Sequence, residues 1–158
     1  MSLADRLAGA QYRYPDHYDV EREKIREYAR AVKAVDPASL DLRAAADLGY
    51  DGLVASLTFI SVFGHMAISG FFEHCGVTTD DAQIVQVDQK IEFYRAIKEG
   101  DRLFCDVAVE SVRRAHGTDI IVTQQVVTNH AGEIVQKTYT TLAGRAGEGD
   151  KGFTDGVA

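Results

Sequence analysis

A long apolar stretch without charge is the feature that most constrains the fold. Residues 52–72 run for 21 residues without an Asp, Glu, Lys or Arg. That length could span a bilayer, but a third of the stretch is small or polar, including Ser56, Ser61 and His65. A helix that is apolar on most faces is also typical of a buried core helix. We therefore expect a central core helix here, and not a membrane span.

After residue 82 the sequence changes to a period of two residues, which is typical of strands with one buried face. Turn signals at Gly100-Asp101, His116-Gly117 and Ala131-Gly132 divide this part into four strands. The expected antiparallel strands are 82–97, 101–114, 118–129 and 133–144. We expect their apolar face to include Val85, Val87, Ile91 and Phe93 in the first strand and Leu103, Cys105, Val107 and Val109 in the second. A central helix followed by a long antiparallel sheet predicts an α+β fold in which the sheet wraps around the helix.

The N-terminal part carries weaker patterns. An extended segment is expected around residues 11–14. Apolar residues at helical spacing predict a helix over 21–35, which Pro37 ends. A second short helix is expected over 42–48, with Gly49 as its C-terminal stop.

Length and composition favour one globular domain. The chain has 158 residues, of which 1–146 are expected to form the domain and 147–158 a flexible, Gly-rich acidic tail. A net charge of -7 argues against a nucleic-acid partner or an anionic membrane surface. Cys75 and Cys105 form no CxxC motif and no secretory leader precedes them, so we expect inert buried thiols in a reducing cytoplasm. No histidine or cysteine spacing indicates a metal site.

Residues 28–58 carry the frame of a known active-site segment. Asp36-Pro37 is followed by an Ala-rich turn at 44–47, a Gly-aromatic step at 49–50, and Leu57-Thr58 before the apolar helix. This order resembles the signature of the R-specific enoyl hydratase and MaoC-like dehydratase family, Gly-Asp-x-Asn-Pro-Ile-His. The resemblance implies the hotdog fold. It also places the family's catalytic Asp on Ala34 and its catalytic His on Ser39.

Neither replacement can move a proton. Removing water from a 3-hydroxyacyl thioester needs a base for the α-proton and an acid for the leaving hydroxyl. Asp36 and Asp41 could stand in, but an Asp beside a Pro is more often a turn or cap residue. Ala55 aligns with the family's Gly at the head of the helix, so its backbone N–H could still serve an oxyanion hole. We therefore predict no catalytic residue in this chain.

The resemblance extends over most of the chain. Residues 93–103, FYRAIKEGDRL, resemble the family's strand-turn-strand segment, with Ala96 in place of its usual Pro. The strings YRYPDHYDVEREKIREYA, LTFISVFG, QIVQVDQ, AHGTDIIVT and YTTLAGRAGE resemble a subunit of the mycobacterial (3R)-hydroxyacyl-ACP dehydratases. That resemblance implies a heterodimer with a HadB-like hotdog partner that carries the intact Asp and His. It implies a 3-hydroxyacyl substrate on acyl carrier protein and no metal, flavin or nicotinamide cofactor. Self-association is expected when the chain is alone.

The expected contribution of this chain is a channel for the acyl tail. Ser61, His65 and Ile68 share one helix face, and Gln86 lies on the adjoining strand. These four residues are the predicted substrate-binding set, although the same face could equally be a core packing face. Two other functions remain open: an acyl-thioester-binding or scaffold protein with no enzyme role, and an acyl thioesterase. A thioesterase needs a carboxylate on the central helix, where Glu73 is the only acid and lies at the far end.

Overall fold

The expected α+β hotdog arrangement is confirmed: an antiparallel sheet wraps around one long helix. The computed structural model describes residues 3–77 and 82–146, with side chains over 3–77 and 84–144. The elements in chain order are α1 (Leu3–Leu7), β1 (Gln11–Arg13), β2 (Tyr18–Asp19), α2 (Arg22–Ala31), a 3-10 turn (Pro37–Ser39), α3 (Leu42–Asp47), α4 (Ile60–His74), β3 (Ala82–Phe93), β4 (Arg102–Ala115), β5 (Thr118–Asn129) and β6 (Ile134–Ala146). The expected tail over 147–158 lies outside the described residues.

Within the described residues, the sheet has six strands in the order β1-β4-β5-β6-β3, with β2 also paired to β4. All the pairings are antiparallel. Among the residues that the structure describes, β3 pairs with β6 alone, so its other side is an edge that no described strand covers. An open edge presents unpaired backbone groups that proteins normally cover or pair.

The central helix is α4, formed by the second part of the charge-free stretch. It packs mainly against β4 and β1, with Phe63, Ala67 and Phe71 fully buried. Gly70 allows a close approach, since a Cβ there would lie 2.5 Å from the Tyr12 hydroxyl. None of the helices described in residues 3–77 and 82–146 has the length and apolarity to cross a membrane.

The N-terminal helices differ from the expectation: two are shorter and one was not expected. The helix expected over 21–35 ends at Ala31, because Lys33 takes the left-handed conformation with φ 55°. The helix expected over 42–48 ends one residue earlier, at Asp47. Helix α1 has no counterpart among the expected elements. Its Leu3 and Leu7 are fully buried one helical turn apart, and the Ala4 N–H donates to the buried Asp119 carboxylate at 3.1 Å.

The first long strand ends earlier than expected, at Phe93 and not at residue 97. The backbone N–H groups of Tyr94 and Arg95 both donate to Val135 O, at 2.9 and 3.1 Å, and the chain bends there. Residues 97–99 instead pair with residues 53–55 through the bridge between Val54 and Lys98. Residues 53–55, which precede α4, thereby pair with the chain that follows β3.

The expected apolar face of the second long strand is confirmed, but that of the first is wrong in part. Leu103, Cys105 and Val107 are buried and Val109 packs on the core. On β3, Ile91 is packed against the core, whereas Val85, Val87 and Phe93 are 48%, 58% and 49% exposed. The register shifts between Gln86 and Asp88, where Val87 is the extra residue of a bulge. Residues 84 and 91 face the core on either side of that bulge.

The two thiols differ in burial. Cys105 is fully buried, and burial, assisted by the nearby Asp106 carboxylate, raises its pKa to about 12. Cys75 is only half-buried, and partial burial raises the pKa of its thiol. The expectation of a buried thiol is confirmed for Cys105 and is wrong for Cys75.

Candidate functional site

The segment that resembles the hydratase signature is held in place by local hydrogen bonds. Pro37 begins the 3-10 turn, and the Asp36 carboxylate accepts a hydrogen bond from the Ala38 N–H at 3.0 Å. The Asp41 carboxylate caps α3 by accepting from the Ala44 N–H at 2.9 Å. Lys33, which aligns with the signature's Gly, has the positive φ that a Gly adopts without strain. Asp36 and Asp41 therefore act as caps, as their positions beside turns indicated.

Ser39 and Ala34 occupy the two positions at which the family signature has its proton carriers. Ser39 is buried, and its hydroxyl donates to Val54 O at 2.6 Å. Val54 in turn donates its N–H to Ala38 O at 3.0 Å, so the turn is fastened to the segment before α4. Ala34 is half-buried and carries only a methyl group. Neither position has a group that can take up or release a proton near neutral pH.

The expected oxyanion donor is not free. The Ala55 N–H donates to Ile97 O at 2.8 Å, as part of the pairing between residues 53–55 and 97–99. Ala55 also lies five residues before the first residue of α4. The expectation that its N–H points from the helix head toward a thioester is therefore wrong. The cause is a pairing between distant segments that local sequence does not reveal.

A cleft of about 240 Å³ opens between α4 and the β3, β5 and β6 half of the sheet. It forms because α4 packs mainly on the other half, against β4 and β1. Ser61, His65, Ile68 and Gln86 all line it, so the structure brings the four predicted site residues together. The bulge in β3 places both Gln86 and Gln89 on this wall. Their role as substrate contacts remains a prediction.

The sheet wall of the cleft is polar, which the helix periodicity does not reveal. The Gln125 amide donates to Gly64 O at 3.3 Å, and the Gln89 amide donates to the Thr140 hydroxyl at 3.5 Å. The Thr138 hydroxyl is buried and has no hydrogen-bond partner among the described side chains. The sequence feature that could have predicted this polar wall is the series of polar residues at alternate positions of β5 and β6. The buried polar residues at those inward positions are Thr123, Gln125, Gln136, Thr138 and Thr140, of which Gln125, Thr138 and Thr140 line the cleft.

A second cavity, of about 260 Å³, lies beside the segment that precedes α4; we call it the head pocket. Its lining residues are Val54, Ala55, Ser56, Leu57, Phe93, Tyr94, Arg95, Ala96, Ile97 and Gln136. Neither the Ser56 hydroxyl nor the Gln136 side-chain oxygen, both buried, has a hydrogen-bond partner within the described part of the chain.

The carboxylate required for a thioesterase is not at the cleft. Glu73 lies in the last turn of α4, roughly 18 Å along the helix axis from Ser61 at 1.5 Å per residue. It does not line the cleft. The geometry therefore gives the thioesterase hypothesis no support.

The fold and the signature segment define a hotdog protein of the MaoC-like dehydratase class. The sequence matches the family described as FAS1-like, dehydratase domain region, over residues 6–138. The chain belongs to this dehydratase family. It is 60% identical, over 159 residues and the full length of both chains, to a UPF0336 protein of Mycolicibacterium paratuberculosis. It is 59% identical, again over both full lengths, to a UPF0336 protein of Mycobacterium tuberculosis.

Two solved structures are similar in both fold and sequence. One is the C-terminally truncated HadBC (3R-hydroxyacyl-ACP dehydratase) complex of M. tuberculosis, with a TM-score of 0.79 and 45% identity over 85% of this chain and 95% of that chain. The other is a MaoC-like dehydratase, with a TM-score of 0.80 and 42% identity over 90% of this chain. The match covers only 43% of that longer chain. The (R)-hydratase of A. caviae, at 14% identity and a TM-score of 0.66, shares the fold.

Proposed function

We propose that this chain is a HadA-type subunit of a heterodimeric (3R)-hydroxyacyl-ACP dehydratase, acting in the cytoplasm in long-chain (mycolic acid) fatty-acid elongation. In this role it is the non-catalytic subunit that shapes the substrate channel. The observation that carries the proposal is a folded signature segment that has no proton carrier at either of the two aligned positions. The buried Ser39 hydroxyl serves a backbone carbonyl, and Ala34 offers only a methyl group.

A partner is the natural source of the missing acid and base. A similar chain, 45% identical, belongs to a complex of two subunits described as HadBC. The similar MaoC-like dehydratase is a chain more than twice as long as the segment that matches. The open edge of β3, with exposed Val85 and Val87, offers a surface on which a second hotdog sheet could pair. We propose a HadB-like partner at that edge.

The chemistry divides between the two subunits. In the proposed pair, the partner's base removes the α-proton of the 3-hydroxyacyl thioester, and its acid protonates the leaving hydroxyl. Water leaves and a trans-2-enoyl thioester remains. This chain holds the acyl tail in the cleft through Ser61, His65, Ile68 and Gln86. Fixing the tail orients the thioester against the partner's catalytic groups.

A HadA-type assignment rests on sequence resemblance. The turn AHGT and the ending GFTDGVA resemble HadA more than the sister subunit HadC, which also pairs with HadB. Because both subunit types pair with HadB, partner selection separates these two types from other hotdog pairings, and the sequence resemblance separates HadA from HadC.

The test is hydration of a long-chain trans-2-enoyl thioester by the chain alone, by a HadB-type partner alone and by the co-expressed pair. We expect full activity only in the pair. Activity of the chain alone would contradict the proposal, because it would require an acid and base that Ala34 and Ser39 do not supply. A chain that binds the thioester but adds no rate to the partner would instead support the acyl-binding or scaffold alternative.

A matched substitution separates structure from catalysis in the same assay. Ser39→Ala in the pair should lower the free energy of unfolding by about 1 kcal/mol, because it removes the bond to Val54 O. It should leave the rate per folded pair unchanged. A rate loss of tenfold or more in the folded pair would mean that Ser39 takes part in the reaction.

A further inference from the structure

The cleft carries more hydrogen-bonding side chains than a saturated acyl tail can use. We propose that it selects an acyl tail that carries a neutral oxygen, as a hydroxyl, ketone or ether, partway along its length. This selectivity rests on the proposed function, in which the cleft holds the acyl tail, and it names the class of tail that the cleft accepts.

Four of the polar side chains that line the cleft are exposed, so a ligand can reach them. They are Ser61, His65, Gln86 and Gln89. Within the described part of the chain, the side chains of Ser61, His65 and Gln86 make no hydrogen bond. The Gln89 amide makes one long contact, to the Thr140 hydroxyl at 3.5 Å, where about 2.9 Å is usual. These groups are therefore free to bond to a ligand.

The two glutamines of β3 are directed into the cleft. Gln86 lies opposite Leu142 of β6, and Gln89 lies opposite Thr140. Leu142 and Thr140 are both buried and line the cleft. Because residues that lie opposite each other in an antiparallel pair project from the same face, both amides are on this wall. The bulge makes this possible, since residues three apart on a regular strand face opposite sides.

Apolar side chains lie on either side of these polar groups. Along β3, Ile84 and Ile91 flank the two glutamines and pack against the core. On the helix wall, Ile68 and Phe72 are one turn apart and line the cleft. A saturated chain would remove water from the glutamine amides and give them no new partner, which is unfavourable. An oxygen at that depth would accept a hydrogen bond from an amide N–H, and the methylene groups beside it would contact the apolar residues.

The chemistry of the wall favours a neutral oxygen over an ionised group. An amide carries no formal charge, and it both donates and accepts hydrogen bonds, so it can serve an ether, a ketone or a hydroxyl. None of the described residues that line the cleft is Asp, Glu, Lys or Arg. A carboxylate on the tail would therefore lose its hydration with only the His65 imidazole near it.

The experiment is an ether scan of the substrate with the co-expressed pair. Hydration is measured for trans-2-enoyl thioesters of one length in which a single tail methylene is replaced by an ether oxygen at successive positions. The two groups are similar in size, so the polarity is what changes. We expect kcat/KM to exceed that of the all-carbon chain by about fivefold, the effect of one neutral hydrogen bond, over one contiguous window of positions.

Substitution of the glutamines tests the source of that window. The double variant Gln86→Met, Gln89→Met keeps two unbranched side chains and removes both amides, so it should abolish the window and raise kcat/KM for the all-carbon chain. Gln124→Met is the matched control, since Gln124 bonds to the Tyr139 hydroxyl at 3.1 Å and does not line the cleft. It should keep the window. No window, or a window that persists in the double variant, would overturn the proposal.

A binding measurement separates this proposal from the proposed function. The ¹⁵N-labelled full chain is titrated with 5-nonanone, a neutral chain with one central oxygen. We expect saturable shifts of the side-chain amide signals of Gln86 and Gln89, and binding at least fivefold weaker in the double variant. A pair that is inactive on every thioester would contradict the proposed function alone. Absence of saturable shifts at both glutamines would overturn the oxygen selectivity alone.

Discussion

At the scale of single residues, the signature segment has no proton carrier at its two aligned positions, Ala34 and Ser39, and its polar side chains serve the backbone. Ser39 is small enough to fill a buried position and to hold Val54 O at 2.6 Å. The caps at Asp36 and Asp41 and the positive φ of Lys33 maintain the backbone path. The side chains of Asp36, Ser39 and Asp41 therefore each have a structural partner within the segment or beside it.

Ser61 provides the sharpest test of the cleft. Ser61→Phe would place a ring in a cavity of about 240 Å³. If it excludes two methylene groups of the tail, at about 0.8 kcal/mol each, kcat/KM of the assembled pair should fall roughly tenfold for the longest substrates. Shorter substrates should be unaffected. The measurement is kcat/KM against acyl chain length.

Ser69→Phe is the control for that experiment. Ser69 is exposed on the same helix but does not line the cleft. An unchanged chain-length preference in Ser61→Phe, or an equal change in both variants, would remove the cleft from the acyl path.

Part of this site can be predicted from the sequence because helical geometry is regular. Residues at i, i+4 and i+7 of one helix face the same way, so their spacing alone groups Ser61, His65 and Ile68. Spacing does not group Gln89, Gln125 and Thr138. These three residues line the cleft because α4 leaves the β3, β5 and β6 half of the sheet uncovered. Gln89 also depends on the bulge in β3.

At the scale of elements, β3 is the strand whose sequence and structure disagree most. Alternation predicts one buried and one exposed face, but Val85 and Val87 are both exposed. The bulge exchanges the two faces partway along the strand, because one extra residue reverses the alternation. Exposed valines on an open edge are the kind of surface that association covers.

Val87→Lys tests that edge. A charged side chain on an edge strand opposes pairing with another strand. We expect the variant to stay folded, to run as a monomer by size exclusion with light scattering, and not to co-purify with a HadB-type partner. Val35→Lys, at an exposed valine away from β3, should associate normally. A Val87→Lys chain that still pairs would place the interface elsewhere.

At the scale of the whole molecule, ion pairs fasten the N-terminal segments to the sheet. The Glu99 carboxylate accepts from the Arg22 side chain at 2.9 Å and from the Leu53 N–H at 3.1 Å. The hydrogen bond from Arg22, then that from Leu53, holds the pKa of Glu99 below its ordinary value of 4.5. Asp19 and Asp51 have lowered pKa values through Arg102 and Lys98 in the same way.

The direction of these shifts sets the pH dependence of stability. A carboxyl whose pKa is lower in the folded chain stabilises it above the unfolded pKa, and this contribution is lost as pH falls through the folded pKa. The free energy of unfolding, measured with urea, should therefore drop as pH falls below about 4.5. Glu99→Gln should be less stable than the unaltered chain at neutral pH and should show a shallower drop in acid.

Asp47→Asn is the control, at an exposed acid at the end of α3. It should follow the unaltered chain at every pH. A Glu99→Gln profile parallel to that of the unaltered chain would mean that the Arg22 contact contributes nothing measurable to stability.

The sequence by itself determined the fold class, the helical face of the cleft and the absence of proton carriers at positions 34 and 39. The fold class and the helical face follow from local periodicity, and the significance of positions 34 and 39 follows from the resemblance to the hydratase signature. Neither depends on distant contacts. Only the tertiary structure decided that the Ala55 N–H is bonded to Ile97 O and that the polar wall of the cleft comes from β3, β5 and β6. Those outcomes arise where segments far apart in the chain meet, and pairing across such distances leaves no signal in the residues on either side alone.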